Sequence, residues 1–260
     1  MKTPIRVGLF GAGNVGLHLL RRMHQAEGVE VTGLWNRHPE RWGEWQARYP
    51  VVRRPEDMPP ADVYILALKD DVLGDFSARL KDRNILTVHT SGAQPSAVLQ
   101  TPRKGVFYPL QTFVRNREVD WSRVPLLVYA PDDRDEKLLQ DLARRLSPLV
   151  YKVDDAQRAR LHVAAVFASN YTNAMWQMAR DLLAGENLDT EILKPLLEKT
   201  FAHLLEADPR EVLTGPARRG DRHTIRRHLD LLRRSDRQDL ARIYEEIARW
   251  ILARYGHGNE

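Results

Sequence analysis

The sequence predicts a doubly wound, mostly parallel α/β sheet followed by an all-α domain. In the first 153 residues, short β-branched runs alternate with amphipathic helical patterns. Most of these runs are continuously apolar rather than alternating, which is typical of parallel strands buried on both faces. After Asp154 only helical patterns remain, and 260 residues are enough for two domains. We therefore expect an α/β domain over residues 1–153 and a helical domain over residues 154–260.

The elements follow from these patterns in chain order. Seven runs are predicted as strands: Ile5–Phe10, Val29–Trp35, Asp62–Leu68, Ile85–His89, Gly105–Tyr108, Pro125–Tyr129 and Leu149–Val153. The helical patterns between them cover residues 14–27, 39–49, 71–81 and 135–146. One long helix is predicted over 155–184, beginning at an Asp154/Asp155 cap, and further helices over about 190–206, 221–234 and 237–255.

Composition excludes several classes of protein. No apolar stretch reaches the ~20 residues of a membrane span, so no membrane partner is expected. The absence of cysteine excludes disulfides and thiolate metal sites, and no metal site is predicted. The N-terminus has no signal cleavage pattern, which favours a cytoplasmic location. A net charge of +5 is weak evidence for a polyanion, and acidic residues interrupt the basic C-terminal half, so no nucleic-acid partner is expected.

A G-x-G-x-x-G motif follows the first predicted strand and opens the first predicted helix. In this setting Gly11 permits the tight turn, Gly13 lets a pyrophosphate approach the backbone, and Gly16 allows close packing of helix on strand. Asn14 and Val15 stand at the helix N-terminus, where N–H groups and the helix dipole attract phosphates. The motif predicts a Rossmann-like dinucleotide site, and the alternative is a tight turn without a ligand.

The end of the second strand indicates which dinucleotide is bound. An NAD site places Asp or Glu there, whereas this chain has Asn36 and Arg37. Because arginine pairs well with phosphate, Arg37 favours NADP(H) over NAD(H). The alternative is that Arg37 is a solvated surface residue.

The strand predicted over 62–68 ends beside the same crevice. Strand carboxyl ends line the cofactor site in such sheets, so Leu68 and Lys69 are expected beside the ribose and pyrophosphate. Asp70 or Asp71 is expected to cap the next helix.

Two further strand ends carry groups suited to proton transfer or polarisation of a substrate. His89 and Ser91 follow one strand and Tyr108 ends the next, so all three are candidates for the reactive end of the crevice. Ser91 is also a candidate cofactor contact. For each residue a structural alternative exists, such as a packed strand residue or a simple turn.

The long predicted helix adds a polar stripe. On a regular α-helix, Val166, Ser169 and Asn173 lie within about 40° of His162, and Asn170 lies at about 80°. His162 and Asn170 are therefore candidate catalytic residues. An interhelical hydrogen-bond ladder is the alternative.

A last motif contains Gly215-Pro216 and then Arg218, Arg219 and Asp221 before a helix. It is similar to an anion-binding helix N-terminus, which makes these three residues candidate substrate ligands. Asp221 is equally suited to be an ordinary N-cap with Thr224 as its partner.

Motifs from both halves of the chain carry a family resemblance. GAGNVG, WNR, ADVYILALKDD, VHTSGA, GVFYPLQTF, LHVAAVFASNYTN and TGPARRGDRHTIRRHL together resemble a bacterial oxidoreductase family that joins a Rossmann-like NADP-binding domain to a helical C-terminal domain of unknown function. More distantly the chain is similar to pyrroline-5-carboxylate reductases, prephenate dehydrogenases and deazaflavin-dependent NADP reductases. The resemblance implies a homodimer whose helical domains pair and complete the substrate cleft.

The chain departs from better-known relatives at two points. β-Hydroxyacid dehydrogenases have a catalytic lysine four residues before an asparagine on the long helix, but here Val166 precedes Asn170 by four. The segment around Arg218 lacks the paired glycines and threonine of the pyrroline-5-carboxylate reductase turn.

These observations favour an NADP(H)-dependent oxidoreductase acting on a small, polar, anionic substrate. In this hypothesis Arg218 or Arg219 holds the anion and His162 or His89 manages the proton. The alternative is a non-catalytic NADP(H)-binding sensor or scaffold, which the missing lysine favours.

Overall fold

The computed structural model describes residues 3–184 and 188–255 and forms two compact units, residues 1–170 and 171–260. The predicted domain boundary after residue 153 stays a prediction. It coincides with the end of the last strand, whereas the compact units divide at 170/171. The first unit therefore includes the helix that follows the sheet.

The first unit is built on one eight-stranded sheet with the order β3-β2-β1-β4-β5-β6-β7-β8. The first six strands in this order are parallel, β7 is antiparallel to β6, and β8 is parallel to β7. The order 3-2-1-4-5-6 is that of a doubly wound Rossmann sheet, so the predicted fold class is confirmed. The strands are β1 (Ile5–Phe10), β2 (Val29–Trp35), β3 (Val51–Val52), β4 (Val63–Leu66), β5 (Leu86–His89), β6 (Lys104–Pro109), β7 (Leu126–Tyr129) and β8 (Val150–Lys152).

Side chains from alternate positions of each central strand enter two separate cores. Val7 and Leu9 of β1 pack in one core, with helices α1 (Asn14–Gln25) and α3 (Asp133–Leu146). Phe10 packs in the other core, with Tyr64 of β4 and α2 (Leu73–Ala78). Because successive strand residues point to opposite faces, both faces of the sheet are covered, as the continuous apolar runs predict.

Two predicted helices differ from the structure. The pattern over 39–49 forms a 3₁₀ segment, Pro39–Ala47, interrupted at Gly43, where φ is +58°. The long helix predicted over 155–184 begins as expected at Asp154, which forms a capping box with Gln157. Its first part is the α-helix α4 (Asp155–Ala165), and the chain then continues as a π-helical segment, Val166–Tyr171.

The second unit is helical, as predicted. Its helices are α5 (Thr172–Leu183), α6 (Lys194–Glu206), α7 (Pro209–Val212), α8 (Arg222–Arg234) and α9 (Gln238–Tyr255). Ile225, Leu229 and Leu232 of α8 form a buried core with Leu240 and Ala248 of α9. In the part of the chain that the structure describes, no helix is both long and apolar enough to cross a bilayer.

Candidate active site

The glycine turn after β1 has two positions at which only glycine fits. Gly11 has a φ of +104°, and a Cβ atom there would overlap the carbonyl oxygen of Ala67. A Cβ on Gly16 would overlap the carbonyl oxygen of Gly11 and lie 3.4 Å from the Cβ of Ala67. The start of α1 therefore packs directly on the ends of β1 and β4, as the motif predicts.

Gly13 differs from these two glycines because it is exposed and faces open space. A Cβ atom there would meet no described atom within 4 Å. Gly13 is also the N-cap of α1, and no side chain in the described ranges caps this helix. The first-turn N–H groups are thus available to an anion at the positive end of the helix dipole, so the turn fits a pyrophosphate.

The side chains of the next two residues are engaged away from this space. Val15 is half-buried and packs on the core of the first unit. The amide of Asn14 donates a hydrogen bond to the carbonyl oxygen of Phe113, at 3.0 Å. This leaves the backbone N–H groups of Asn14 and Val15 for the predicted cofactor contacts.

Asn36 joins the glycine turn to the segment after β2. Its Oδ1 accepts a hydrogen bond from the backbone N–H of Ala12 at 3.1 Å, and its Nδ2 donates to the carbonyl oxygen of His38 at 2.7 Å. Arg37 follows with an exposed side chain that forms no ion pair with any described residue. The side chain of Asn36 therefore links the glycine turn to the segment after β2. The guanidinium of Arg37 is available to a ligand.

The segment after β4 borders the glycine turn from the other side. A Cβ on Gly11 would lie 3.0 Å from Cδ2 of Leu68, and the following Lys69 is exposed. The prediction that Asp70 or Asp71 caps the next helix is wrong. Among the described residues, no side chain caps the 3₁₀ segment Asp70–Val72 or α2, and Asp70 instead accepts a hydrogen bond from the Ser91 hydroxyl at 2.9 Å.

Ser91 shapes the loop that follows β5. Its hydroxyl donates to Asp70 and accepts hydrogen bonds from the N–H groups of Ala93 and Gln94, at 3.1 and 3.0 Å. The side chain is buried, and its hydroxyl bonds to two backbone groups of its own loop and to Asp70 after β4. Its predicted contacts with cofactor and substrate stay predictions, and the observed contacts are those of a turn residue.

His89, the last residue of β5, is fully buried. Its Nδ1 accepts a hydrogen bond from the N–H of Ser91 at 3.1 Å, so Nε2 carries the proton and donates to the carbonyl oxygen of Pro95 at 3.3 Å. Burial, assisted by the positive charge of Arg158, lowers the pKa of the ring to about 4. His89 is therefore neutral at pH 7, with both ring nitrogens bonded to the backbone, an arrangement that suits loop support better than proton transfer.

Tyr108 and His162 meet across the loop after β5. The Tyr108 hydroxyl lies 3.1 Å from Nδ1 of His162, and the two rings pack edge to face with centroids 5.9 Å apart. Gly92 lies against both, because a Cβ there would overlap the imidazole and lie 2.9 Å from Cζ of Tyr108. Tyr108 is in β6, and since β1, β4, β5 and β6 are parallel, their carboxyl ends share the edge that holds the glycine turn.

The π-helical segment changes the predicted polar stripe. The stripe assumes a regular α-helix, and a π turn alters the angular spacing beyond Ala165. Ser169 nevertheless contacts the loop after β6: its hydroxyl lies 2.9 Å from that of Thr112, four residues after Tyr108. Asn170 is exposed, and its predicted catalytic role stays a prediction. π-Helical turns are frequent at functional sites.

Arg158 is a site residue that the sequence analysis missed. Its side chain is fully buried; Nη1 donates to Asp155 at 2.8 Å and Nη2 to the carbonyl oxygen of Gln94. Asp155 also accepts hydrogen bonds from the N–H and hydroxyl of Ser96. The pair thus ties α4 to the loop that carries Gly92. The sequence pattern that could have identified Arg158 is its position four residues before His162, which places both residues on the same helix face.

Burial also acts on Tyr108. It raises the pKa of the Tyr108 phenol, while the positive charge of Arg158 acts in the opposite direction. The hydroxyl therefore keeps its proton at neutral pH and is able both to donate to His162 and to accept from it.

In the second unit, two of the three predicted anion-binding residues, Arg218 and Asp221, form hydrogen bonds with other protein groups. Arg218 donates to the carbonyl oxygen of Tyr255 at 3.2 Å and stacks over its ring at 5.2 Å, so its guanidinium supports the end of α9. Asp221 is the N-cap of α8, and hydrogen bonds from Thr224 lower the pKa of its carboxyl. Arg219 is exposed and forms no ion pair in the described ranges.

Comparison with known proteins places the chain among Rossmann-type structures. A family model described as a domain of unknown function (DUF2520) matches residues 124–251. The chain is similar to the crystal structure of the putative NADP oxidoreductase BF3122 from Bacteroides fragilis, with a TM-score of 0.85, 33% identity and coverage of 95% of this chain and 98% of the other. No curated protein matches the sequence.

Two more distant structures share the fold. An imine reductase from Pseudomonas sp. has a TM-score of 0.69 at 15% identity and covers 98% of this chain and 96% of its own. A pyrroline carboxylate reductase from Plasmodium falciparum, solved with NADP bound, has a TM-score of 0.57 at 12% identity, with coverage of 94% and 95%. At these identities the likeness shows the fold alone, and it confirms the expected distant similarity to pyrroline-5-carboxylate reductases.

Proposed function

The chain belongs to the family of the Bacteroides fragilis protein BF3122, and from this premise we propose that it is an NADP(H)-dependent oxidoreductase that transfers hydride to or from a small, polar, anionic substrate. The observation that carries the proposal is the space in front of Gly13, at the uncapped start of α1. The residues that would hold the cofactor are those of the glycine turn with Asn36, Arg37, Leu68 and Lys69. Bound there, NADPH supplies the hydride.

The proton that must accompany the hydride is assigned to His162. In the reducing direction, a protonated His162 donates Nδ1–H to the Tyr108 oxygen and carries a second proton on Nε2. Transfer of the Nε2 proton to the substrate oxygen or nitrogen leaves a neutral ring whose remaining proton stays on Nδ1 and continues to be donated to the Tyr108 oxygen. Tyr108 thus orients the imidazole in both protonation states, and the 3.1 Å distance between the two atoms supports this contact.

The remaining groups hold the loop after β5 in place. Arg158 and Asp155 hold the loop of Gly92 against the two rings. His89 also holds this loop, because its two ring nitrogens form hydrogen bonds with the backbone of Pro95 and Ser91. We assign His89 to positioning rather than to proton transfer, because neither ring nitrogen is free to meet a substrate.

Two measurements test the cofactor and the reaction. Calorimetric titration should give NADPH an affinity at least about tenfold higher than NADH, because an arginine follows β2 where an NAD site has a carboxylate. Turnover is then screened with oxo acids, imines and hydroxy acids, following NADPH absorbance. A preference for NADH would contradict the cofactor assignment, and tight NADPH binding without turnover of any class would contradict the reaction.

An anionic substrate is proposed on the basis of Arg219, whose guanidinium is exposed and without an ion pair among the described residues. Once a substrate is found, Arg219→Ala should raise KM about tenfold with little change in kcat, as expected when a group binds ground and transition states alike. Arg222→Ala, three residues away and also exposed, is the matched control. An unchanged KM for Arg219→Ala would remove the residue from the substrate site.

We also propose that the protein is a homodimer that pairs through its second unit. Leu205, Ile192 and Leu196 are 86%, 69% and 66% exposed, which is unusual for large apolar side chains grouped on neighbouring segments. Light scattering should give twice the chain mass, and Leu205→Asp should shift the protein toward monomer. Val114→Asp, at an exposed apolar residue of the first unit, is the matched control. A monomer at all concentrations would contradict the proposal. A cytoplasmic location stays a prediction.

A further inference from the structure

The loop after β6 lies along α1, the helix that starts at the glycine turn. Three α1 side chains on successive turns hold three consecutive carbonyl groups of this loop. Asn14 donates to Phe113 at 3.0 Å, the Nε2 of His18 lies 3.0 Å from the Val114 oxygen, and Arg21 donates to Arg115 at 3.2 Å. The positions 14, 18 and 21 share one helix face, so the loop is held along its length. The backbone of Arg115 is therefore fixed relative to the cofactor helix.

The side chain of Arg115 reaches the segment that follows β2. Its Nη2 donates to the carbonyl oxygen of Arg41 at 3.4 Å. Arg41 itself closes a turn with His38, because its N–H donates to the His38 oxygen at 3.1 Å. The amide of Asn36 donates to the same oxygen of His38. Arg115 thus contacts the compact turn that also carries Arg37.

The charges at this turn are unbalanced. Arg37, Arg41 and Arg115 are all exposed, and none of them forms an ion pair with any described residue. The nearest carboxylate along the chain, Glu40, lies 3.5 Å from the imidazole of His38. An anion bound at this turn would offset the three positive charges. A phosphate dianion suits guanidinium groups because each presents a fork of N–H donors.

We propose that Arg115 determines cofactor specificity together with Arg37 by binding the 2′-phosphate of NADP(H). This inference rests on the proposed function, because it needs the cofactor to lie along the glycine turn. In such sheets the adenosine ribose lies at the end of the second strand, which is the place that Arg115 reaches. The residue comes from the loop after β6 and follows Arg41, its partner after β2, by 74 residues in the sequence.

The test measures binding of NADPH and NADH to the full chain and to single variants by calorimetry. Arg115→Ala should weaken NADPH binding about tenfold and leave NADH binding unchanged within a factor of two. Arg115→Lys should restore part of the affinity, since a single positive charge is kept. Arg117→Ala is the matched control, because this arginine is exposed on the same loop; it should change neither affinity.

A second binding measurement uses ligands that lack the nicotinamide. Adenosine 2′,5′-bisphosphate and adenosine 5′-monophosphate differ only in the 2′-phosphate, so their ratio of affinities reports on that group directly. Arg115→Ala should reduce this ratio about tenfold. Thermal unfolding of each variant shows whether the loop remains folded, and a Tm within about 2 °C of the parent is expected for an exposed residue.

The outcomes separate this inference from the proposed function. If Arg37→Ala abolishes the preference for NADPH while Arg115→Ala leaves it intact, the role of Arg115 is overturned and the proposed function stands. Equal weakening of NADPH and NADH by Arg115→Ala would also overturn it, because that result reports loop disruption. If the parent protein does not prefer NADPH, the cofactor assignment fails and the Arg115 inference fails with it.

Discussion

The hydroxyl of Tyr108 lies 3.1 Å from Nδ1 of His162, with the backbone of Gly92 closing the space beside both rings. One group comes from the end of a parallel strand and the other from the helix after the sheet. The contact holds the imidazole in one orientation through Nδ1, which is what the proposed proton transfer from Nε2 requires. The first two predictions concern this contact.

His162→Ala should lower kcat about 100-fold or more, the usual effect of losing a general acid, with NADPH affinity unchanged. Tyr108→Phe keeps the aromatic ring and removes only the hydrogen bond, so a smaller loss of about tenfold is expected. Because the two residues act as a unit, the double variant should be about as slow as His162→Ala alone. Steady-state kinetics on the four proteins provides the check. Losses that simply multiply would show that the residues act independently.

Gly92→Ala should damage the site directly. The new methyl group would overlap the His162 ring, and relieving this overpacking costs about 1–3 kcal/mol of unfolding free energy. Turnover should fall because the imidazole is displaced from Tyr108. Gly74→Ala is the matched control, since its Cβ would lie 3.5 Å from the nearest described atom. Urea unfolding and kinetics of both variants test the prediction, which an active and fully stable Gly92→Ala protein would contradict.

Substitutions at two glycines of the glycine turn should affect different properties, the stability of the fold at Gly16 and the binding of NADPH at Gly13. Gly16→Ala should destabilise the protein by about 2 kcal/mol or more, because its Cβ would overlap the Gly11 carbonyl. Gly13→Ala should leave the free energy of unfolding within about 0.5 kcal/mol, because its Cβ meets open space, and yet weaken NADPH binding at least tenfold. Denaturant unfolding and calorimetry distinguish the two. Normal NADPH affinity in Gly13→Ala would mean that the cofactor does not approach this backbone.

Stability should fall with acid because of His89. The pKa of its ring is about 4 in the folded protein, against an ordinary value of 6.5 in the unfolded chain, so above pH 6.5 the ring is neutral in both states and its contribution is complete. Between pH 6.5 and 4 only the unfolded chain takes up the proton, and stability falls toward a total loss of about 3 kcal/mol. Below pH 4 this loss no longer grows.

The check is the unfolding free energy measured from pH 7 to pH 4 in His89→Gln and in the parent. The variant should be less stable at pH 7 but show a shallower decline, by about 3 kcal/mol over the range. His223→Gln, at an exposed histidine, is the matched control for the loss of one imidazole. Parallel curves for His89→Gln and the parent would show that the ring is not held neutral.

The sequence predicts best those elements whose bounds depend on residues close together in the chain. Strands β1 and β2 begin and end at the predicted residues, because apolar and β-branched residues dominate both runs and proline, glycine or asparagine flanks them. The two residues of β3 carry too little pattern to be recognised. The π-helical segment was missed because its sequence has ordinary helical periodicity, and the changed spacing depends on packing.

The site was predictable to the level of its elements but not of its contacts. The glycine turn and the pairing of candidate strand ends with His162 follow from motif and topology. Arg158 and Arg115 contact groups that are 64 and 74 residues away from them in the sequence. No periodicity in the sequence encodes such contacts, and single-residue propensities assign both arginines to the surface.

The hydrogen bond from Arg115 to the Arg41 carbonyl has a consequence for redesign of this protein. Converting a Rossmann enzyme from one nicotinamide cofactor to the other commonly begins with the residues after the second strand. In the proposed site, replacing only the residues after β2 would leave the Arg115 guanidinium in place, because another loop carries it. We therefore expect conversion to NADH to need changes in both segments, and a library limited to residues 36–41 to be insufficient.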